Sequence, residues 1–203
     1  MQYLSLTRQT PPSVEPVTVA EAKAHLRVDT SNDDAYIGTL ITAAREWCEQ
    51  YLDRTLIHTQ WAMRLDRFPP DSLQPIDLPK PPVVTSGTAT AVSVTFTSET
   101  GSTATLTTAQ YRVQRFETPG RVTTVYGGTW PASREDNDAV VIQWWAGYGA
   151  SGTSVPASIR HAILMLVAHW YENRSTVLVG SISKQLEFAV ESLLSSQKWG
   201  SYR

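Results

Sequence analysis

The spacing of apolar positions changes twice along the chain. Ile37, Leu40, Ile41, Ala44, Trp47, Cys48, Tyr51 and Leu52 recur every three or four residues, which is one stripe of a helix. Thr39, Thr42, Arg45, Glu46 and Glu49 fall on the polar face. A shorter helix precedes it. Thr18 with Glu21 three residues on reads as a capping box and opens Val19 to about Leu26. Between the two lies a polar break from Asp29 to Asn32. Ser31 or Asn32 is placed to cap the second helix, with Asp33 and Asp34 at its positive end.

The period then drops to two. Trp61, Met63 and Leu65 alternate with Ala62, Arg64 and Asp66, a half-buried strand. Pro69, Pro70, Pro75, Pro79, Pro81 and Pro82 leave room only for a short extended piece at Ile76 to Leu78. Val92, Val94 and Phe96 predict a strand over Ala91 to Thr97. Ser98-Glu99-Thr100-Gly101 turns it into a second strand around Thr103 to Thr107. Tyr111 to Phe116 and Arg121 to Tyr126 form a hairpin across Thr118-Pro119-Gly120. Val140 to Trp145 is apolar enough for a strand buried on both faces.

Helical spacing returns after Tyr148. Pro156 suits a first helical turn, with Val155 or Ser154 as cap. Ile159, Ala162, Ile163, Leu166, Val167, Trp170 and Tyr171 make one stripe, and Leu164, Met165 and Ala168 make the opposite face apolar too. Such a helix sits between two partners. One is the Ile37–Leu52 helix, the other the β segment or a neighbouring subunit. Gly180 is a hinge. Leu186, Ala189, Val190, Leu193 and Leu194 then give a last amphipathic helix, followed by Lys198, Trp199, Tyr202 and Arg203. The expected fold is α+β. A helical core takes residues 1–55 and 150–203, and a β-rich insert takes 56–149.

Composition narrows the function. The chain has 203 residues, 41% of them hydrophobic and 18% charged, enough to bury a core and too apolar for disorder. Lys plus Arg is 17 against 19 Asp plus Glu, a net charge of −2, which excludes a sequence-blind DNA coat. Cys48 has no intrachain partner, which points to folding in a reducing cytoplasm. No basic-then-apolar leader opens the chain, and the longest apolar run, Ala162 to Ala168, is too short to span a bilayer.

Candidate chemistry is sparse. Ser181-x-x-Lys184 has the spacing of serine acyl-enzymes without their companion motifs, and reads better as a polar linker. No two of His25, His58, His161 and His169 lie three or four apart, and Glu135, Asp136 and Asp138 lack the rest of a calcium loop. No metal or cofactor is expected. Gly127-Gly128 and Gly147-x-Gly149 match no phosphate-binding fingerprint and read as turns. Trp144, Trp145 and Tyr148 are the candidates for a carbohydrate-binding face, against a plain role in packing. The C-terminal helix and its aromatic, basic tail use residue types enriched in binding hot spots.

The run Val17-Thr18-Val19-Ala20-Glu21-Ala22-Lys23-Ala24-His25-Leu26-Arg27-Val28, with Asp33-Asp34 and the helix after them, resembles the start of tailed-phage head–tail connector (adaptor) proteins. So do Ala146-Gly147-Tyr148-Gly149, Val155-Pro156, Ile159-Arg160-His161-Ala162-Ile163, Leu193-Leu194 and the terminal Tyr202-Arg203. The resemblance implies a non-enzymatic virion protein, made in the host cytoplasm and assembled in the neck. It implies a ring of this chain, usually twelve copies, under the portal protein. The ring would extend the DNA channel without sequence-specific binding and meet a downstream connector, stopper or tail protein. It also implies a portal-docking C-terminus, here Leu186, Val190, Leu193, Leu194, Lys198, Trp199, Tyr202 and Arg203. The rival reading is a carbohydrate-binding or structural β module with helical flanks.

Overall fold

The computed structural model describes residues 5–72, 74–84, 92–116, 118–174, 184–195 and 197–198, and of 184–187 the backbone path. The chain divides into two compact units. One is Ser13–Ile57 with Tyr148–Arg203, the other Met1–Pro12 with His58–Gly147.

The first unit is helical. α1 (Val19–Leu26) opens on the expected capping box: the Glu21 amide donates to Thr18 Oγ1 at 3.1 Å and the Thr18 amide to Glu21 Oε2 at 2.8 Å. It ends where Arg27 turns left-handed, at φ 58°. α2 (Asp34–Leu52) starts one turn earlier than its apolar stripe, and its cap position is Asp33 rather than Ser31 or Asn32. The Asp34 amide bonds the Ser31 carbonyl instead, closing a turn that leads into the helix. α3 (Ala157–Glu172) follows Pro156, which is itself the cap residue. It packs on α1, α2 and α4 (Lys184–Ser195). Within this chain the second partner of α3 is α4, where the sequence pattern points to the β segment or a neighbouring subunit. Ile37, Leu40, Ile41, Ala44 and Leu52 of α2 share one core with Ile159, Ile163, Leu166, Val167 and Trp170 of α3 and with Val190 and Leu194 of α4.

The polar face assigned to α2 holds a buried cation. Arg45 is 2% exposed and Glu49 7%. Arg45 Nε donates to Glu15 Oε2 at 2.8 Å, and Nη1 to Glu49 Oε2 at 2.8 Å. Nη2 reaches Glu46 at 3.3 Å. Glu49 spends its second oxygen on the Leu56 amide, at 3.0 Å. Burial by itself lowers the Arg45 pKa, but the Glu49 and Glu15 carboxylates outweigh it and hold it above its ordinary value.

Two further clasps join helix ends. Arg160 of α3 pairs with Glu21 and donates to the Pro16 carbonyl at 3.0 Å, tying α3 to the start of α1. Asp33, before α2, accepts from Tyr171 Oη at 2.6 Å and Arg174 Nη2 at 2.7 Å. The Arg174 guanidinium lies over both Tyr171 and Tyr36, at 4.4 and 4.6 Å. The Arg174 bond, then the Tyr171 bond, holds the Asp33 carboxyl below the usual range.

The second unit is two antiparallel sheets around one core. The larger has the order β1 (Ser5–Thr10), β2 (Thr59–Leu65), β8 (Val140–Ala146), β4 (Ser93–Thr97), β5 (Thr103–Thr105). The smaller runs β3 (Ile76–Leu78), β7 (Gly120–Thr124), β6 (Tyr111–Gln114). β1 was not foreseen. It pairs with β2 from Ser5 opposite Arg64 to Thr10 opposite Gln60, so the first residues belong with the β-rich unit. β8 is central but not buried on both faces. Val140, Ile142, Trp144 and Ala146 are buried, while Val141, Gln143 and Trp145 between them are half-buried. The two sheets share Met63, Leu65, Val94 and Ile142 with Ile76, Leu78, Tyr111 and Val122. Tyr111 Oη also bonds the Val92 carbonyl.

Removing a cation from among carboxylates it neutralises in the interior costs about 3–5 kcal/mol, whereas exposed pairs contribute under about 1 kcal/mol. Arg45→Met is therefore expected to lower the unfolding free energy, read by urea titration, by about 3–5 kcal/mol. Glu46→Ala, which removes the exposed partner, should cost less than about 1 kcal/mol. The Asp33 clasp predicts a pH effect. A carboxyl with a depressed folded pKa adds stability above its unfolded pKa of about 3.9, and that stability is lost as pH falls through the folded pKa. The melting-temperature gap between the wild type and Asp33→Asn should stay constant down to about pH 5 and close in stronger acid.

Candidate functional site

Among the described residues, no group of three or more His, Cys, Asp or Glu stands close enough to hold a metal. His25 of α1 and His161 of α3 meet edge to face, with ring centroids 6.2 Å apart, and both are exposed. The Cys48 thiol is fully buried, and burial, aided by Glu49, pushes its pKa far above the ordinary value, so it is a poor nucleophile. Ser181 lies outside the described residues, as does the Lys184 side chain. Of the aromatic trio, Trp144 is 0% exposed in the β core and presents no ring to a sugar. Trp145 is half-buried, and Tyr148 belongs to the helical unit.

The C-terminal segment is the remaining candidate that the sequence offers. Val190 and Leu194 are both 0% exposed and sit in the helical core, so the inner stripe of α4 is already packed. Leu193 is half-buried. Phe188, on the same helix, is 77% exposed. Beyond α4 the chain is held against the end of α2. Arg54 Nε donates to the Gln197 carbonyl at 2.6 Å. The Lys198 ammonium lies 4.4 Å from the centre of the Tyr51 ring, and Tyr51 in turn stacks on Trp47 at 5.4 Å. Tyr148 Oη reaches Gln197 Oε1 at 3.5 Å, and burial is the main cause of its raised pKa. Leu186, as a side chain, and Trp199, Tyr202 and Arg203 lie outside the described residues. Of the eight residues assigned to docking, the structure thus places Val190 and Leu194 inside, Leu193 at the margin and Lys198 on an aromatic shelf.

Sequence reasoning missed that shelf. Trp47 and Tyr51 belong to the apolar stripe of α2 by spacing, yet both are only half-buried; Tyr51 takes the Lys198 ammonium on its ring and Trp47 stacks on Tyr51. The signal was present: two aromatic residues four apart at the C-terminal end of a helix, with Arg54 just beyond. Gly152 was also passed over. A Cβ there would come 2.7 Å from the Glu15 carbonyl oxygen and 2.8 Å from that of Pro16, so only glycine lets the chain pass that segment on its way into α3.

Comparison with known proteins agrees with the resemblance. Three chains in solved particles share the fold over 96% of this chain and 95% of their own. They come from a structure titled "Neck of empty GTA particle computed with C6 symmetry" (TM-score 0.75, 23% identity), from "Virion of native gene transfer agent (GTA) particle" (0.73, 23%), and from "Neck of native GTA particle computed with C12 symmetry" (0.69, 22%). No curated protein sequence matches significantly. Residues 16–111, from the lead into α1 to the start of β6, match the family described as phage gp6-like head-tail connector protein.

Proposed function

We propose that this chain is a structural virion protein that forms a ring in the neck, beneath the portal, and joins head to tail. The observation that carries this reading is the family match over residues 16–111. The likeness to chains from neck particles with sixfold and twelvefold symmetry supports a ring, and we take its size as twelve copies. The net charge of −2 suits a channel wall, because duplex DNA must slide past it and a basic lining would hold the phosphates. The scarcity of reactive groups suits a part that works by shape, without catalysis or a cofactor. One rim of the ring faces the portal and the other a downstream connector, stopper or tail protein.

The portal-docking segment in this reading runs from Leu186 to Arg203. Val190 and Leu194 anchor α4 on α3, and Lys198 rests on the Tyr51 ring. Leu186, Leu193, Trp199, Tyr202 and Arg203 make the contact, with Trp199 and Tyr202 as anchors. Removing everything from Gly180 onward would also strip Val190 and Leu194 from the core, so substitution tests docking more cleanly than truncation. Negative-stain electron microscopy of the full chain mixed with its portal ring is expected to show an added ring below the portal. Trp199→Ala with Tyr202→Ala should weaken docking at least about thirtyfold, the loss of one hot spot of about 2 kcal/mol. Their melting temperature should stay at the wild-type value. Bare portals at saturating wild-type protein would remove the connector reading, and unchanged docking by the double variant would remove the tail assignment.

A further inference from the structure

The seat for the tail at the end of α2 goes beyond what the packing of α4 requires. Val190 and Leu194 already bury the inner stripe of α4 in the helical core. Past that helix, Gln197 and Lys198 are held by two separate parts of the chain. Tyr51, in the last turn of α2, carries the Lys198 ammonium 4.4 Å from its ring centre. Arg54, just beyond α2, donates from Nε to the Gln197 carbonyl at 2.6 Å. Tyr148 brings its hydroxyl, which the Arg54 guanidinium also faces, to Gln197 Oε1 at 3.5 Å.

The seat is braced from behind. The Tyr148 amide donates to the Leu56 carbonyl at 3.0 Å, and the Leu56 amide to Glu49 Oε1 at 3.0 Å. The other oxygen of Glu49 takes the buried Arg45. A run of directed bonds therefore leads from that cation to the residues that hold the tail. On the ring side, Trp47 stacks on Tyr51 at 5.4 Å, with planes 4° apart. Both rings are half-buried and Lys198 is exposed, so the contact with the tail is made at the surface. Exposed contacts of this kind are individually weak. They add little to a core that Val190 and Leu194 have closed, yet they are enough to bias where two residues of a chain end lie.

We infer that Tyr51, Arg54 and Tyr148 are positioning residues for docking: by holding Gln197 and Lys198 they fix the point from which Trp199, Tyr202 and Arg203 engage the portal, without touching the portal themselves. The inference rests on the docking reading above and deepens it. The gain is in freedom not lost on binding. Docking residues that follow a seated pair have less to order than the same residues on a loose end, and less of the interaction is spent on ordering them. Tyr51 and Arg54 act through the tail, so their effect on docking disappears once the contact they make with it is broken.

The seat is tested first without the portal. In the full chain labelled with carbon-13 at lysine, the side-chain methylene protons of Lys198 are identified by their loss in Lys198→Gln. They are expected upfield of those of the other lysines, because they lie over the Tyr51 ring. They should stay there in Tyr51→Phe, which keeps a ring, and return to the ordinary position in Tyr51→Leu. An unshifted Lys198 in the wild type overturns the inference. Affinity for portal rings is then measured. Tyr51→Leu with Arg54→Ala is expected to dock about tenfold more weakly, and Tyr51→Phe as the wild type does. Both should melt within about 2 °C of the wild type, as surface substitutions do. Lys198→Gln, at an exposed position, should weaken docking by itself and add nothing to Tyr51→Leu, since both break one contact. A merely structural role for Tyr51 does not produce that non-additivity. Unchanged docking by the Tyr51→Leu, Arg54→Ala variant, or losses that add when Tyr51→Leu and Lys198→Gln are combined, overturns the inference and leaves the docking reading standing. Bare portals with the wild type remove that reading and this inference with it.

Discussion

A charged side chain in the interior has to find its counter-charges, and the helical unit is arranged around that requirement at Arg45. Arg45 is 2% exposed, and its bonds to Glu15 and Glu49 are ones it cannot lose cheaply. Its bonds reach Glu15, before α1, and Glu49, one turn on along α2. Glu49 passes the constraint on by capping the Leu56 amide, just past the end of the helix. One cation thereby fixes the entry to and the exit from the α1–α2 pair. The chain on the Glu15 side is constrained again where Gly152 passes its carbonyls and where Arg160 bonds the Pro16 carbonyl. The apolar core supplies most of the favourable free energy of burial, but apolar contact is non-directional and would tolerate several registers. The directed bonds of Arg45 and Arg160 select one.

The elements legible in the sequence were those whose signal is local. α1 could be read to its bounds because a capping box is a four-residue pattern with both partners in view. The stripe of α2, the alternation of β2 and the short β3 between prolines were equally self-contained. What escaped depends on long-range pairing. Arg45 and Glu49 looked like a solvated face, since spacing says which side of a helix a residue occupies and not whether another segment covers that side. β1 has no apolar run of its own and owes its state to pairing with β2. The strand β8 was read as doubly buried from its composition, yet only alternate residues are covered. For the candidate site, the sequence points to the C-terminal segment by residue type. It could not distinguish the inward stripe, Val190 and Leu194, from what is left for a partner.

That distinction changes how the tail can work. A disordered segment that folds on its partner spends part of the interaction free energy on ordering. Here α4 is already seated on α3, and the chain beyond it is aimed by Arg54, Tyr51 and Tyr148. The contacts that order the segment are made within one copy before any partner arrives. The residues still to be engaged then start from a fixed origin, which raises the affinity available from a few aromatic anchors. In a ring the same origin repeats at every copy. Weak individual contacts then act together, because each engaged tail holds its neighbours at high effective concentration. In the proposed ring, tails that are weak singly would be strong collectively. Val190 and Leu194 are already used as structural anchors, so the proposed docking residues would carry a separate task along one short stretch of chain.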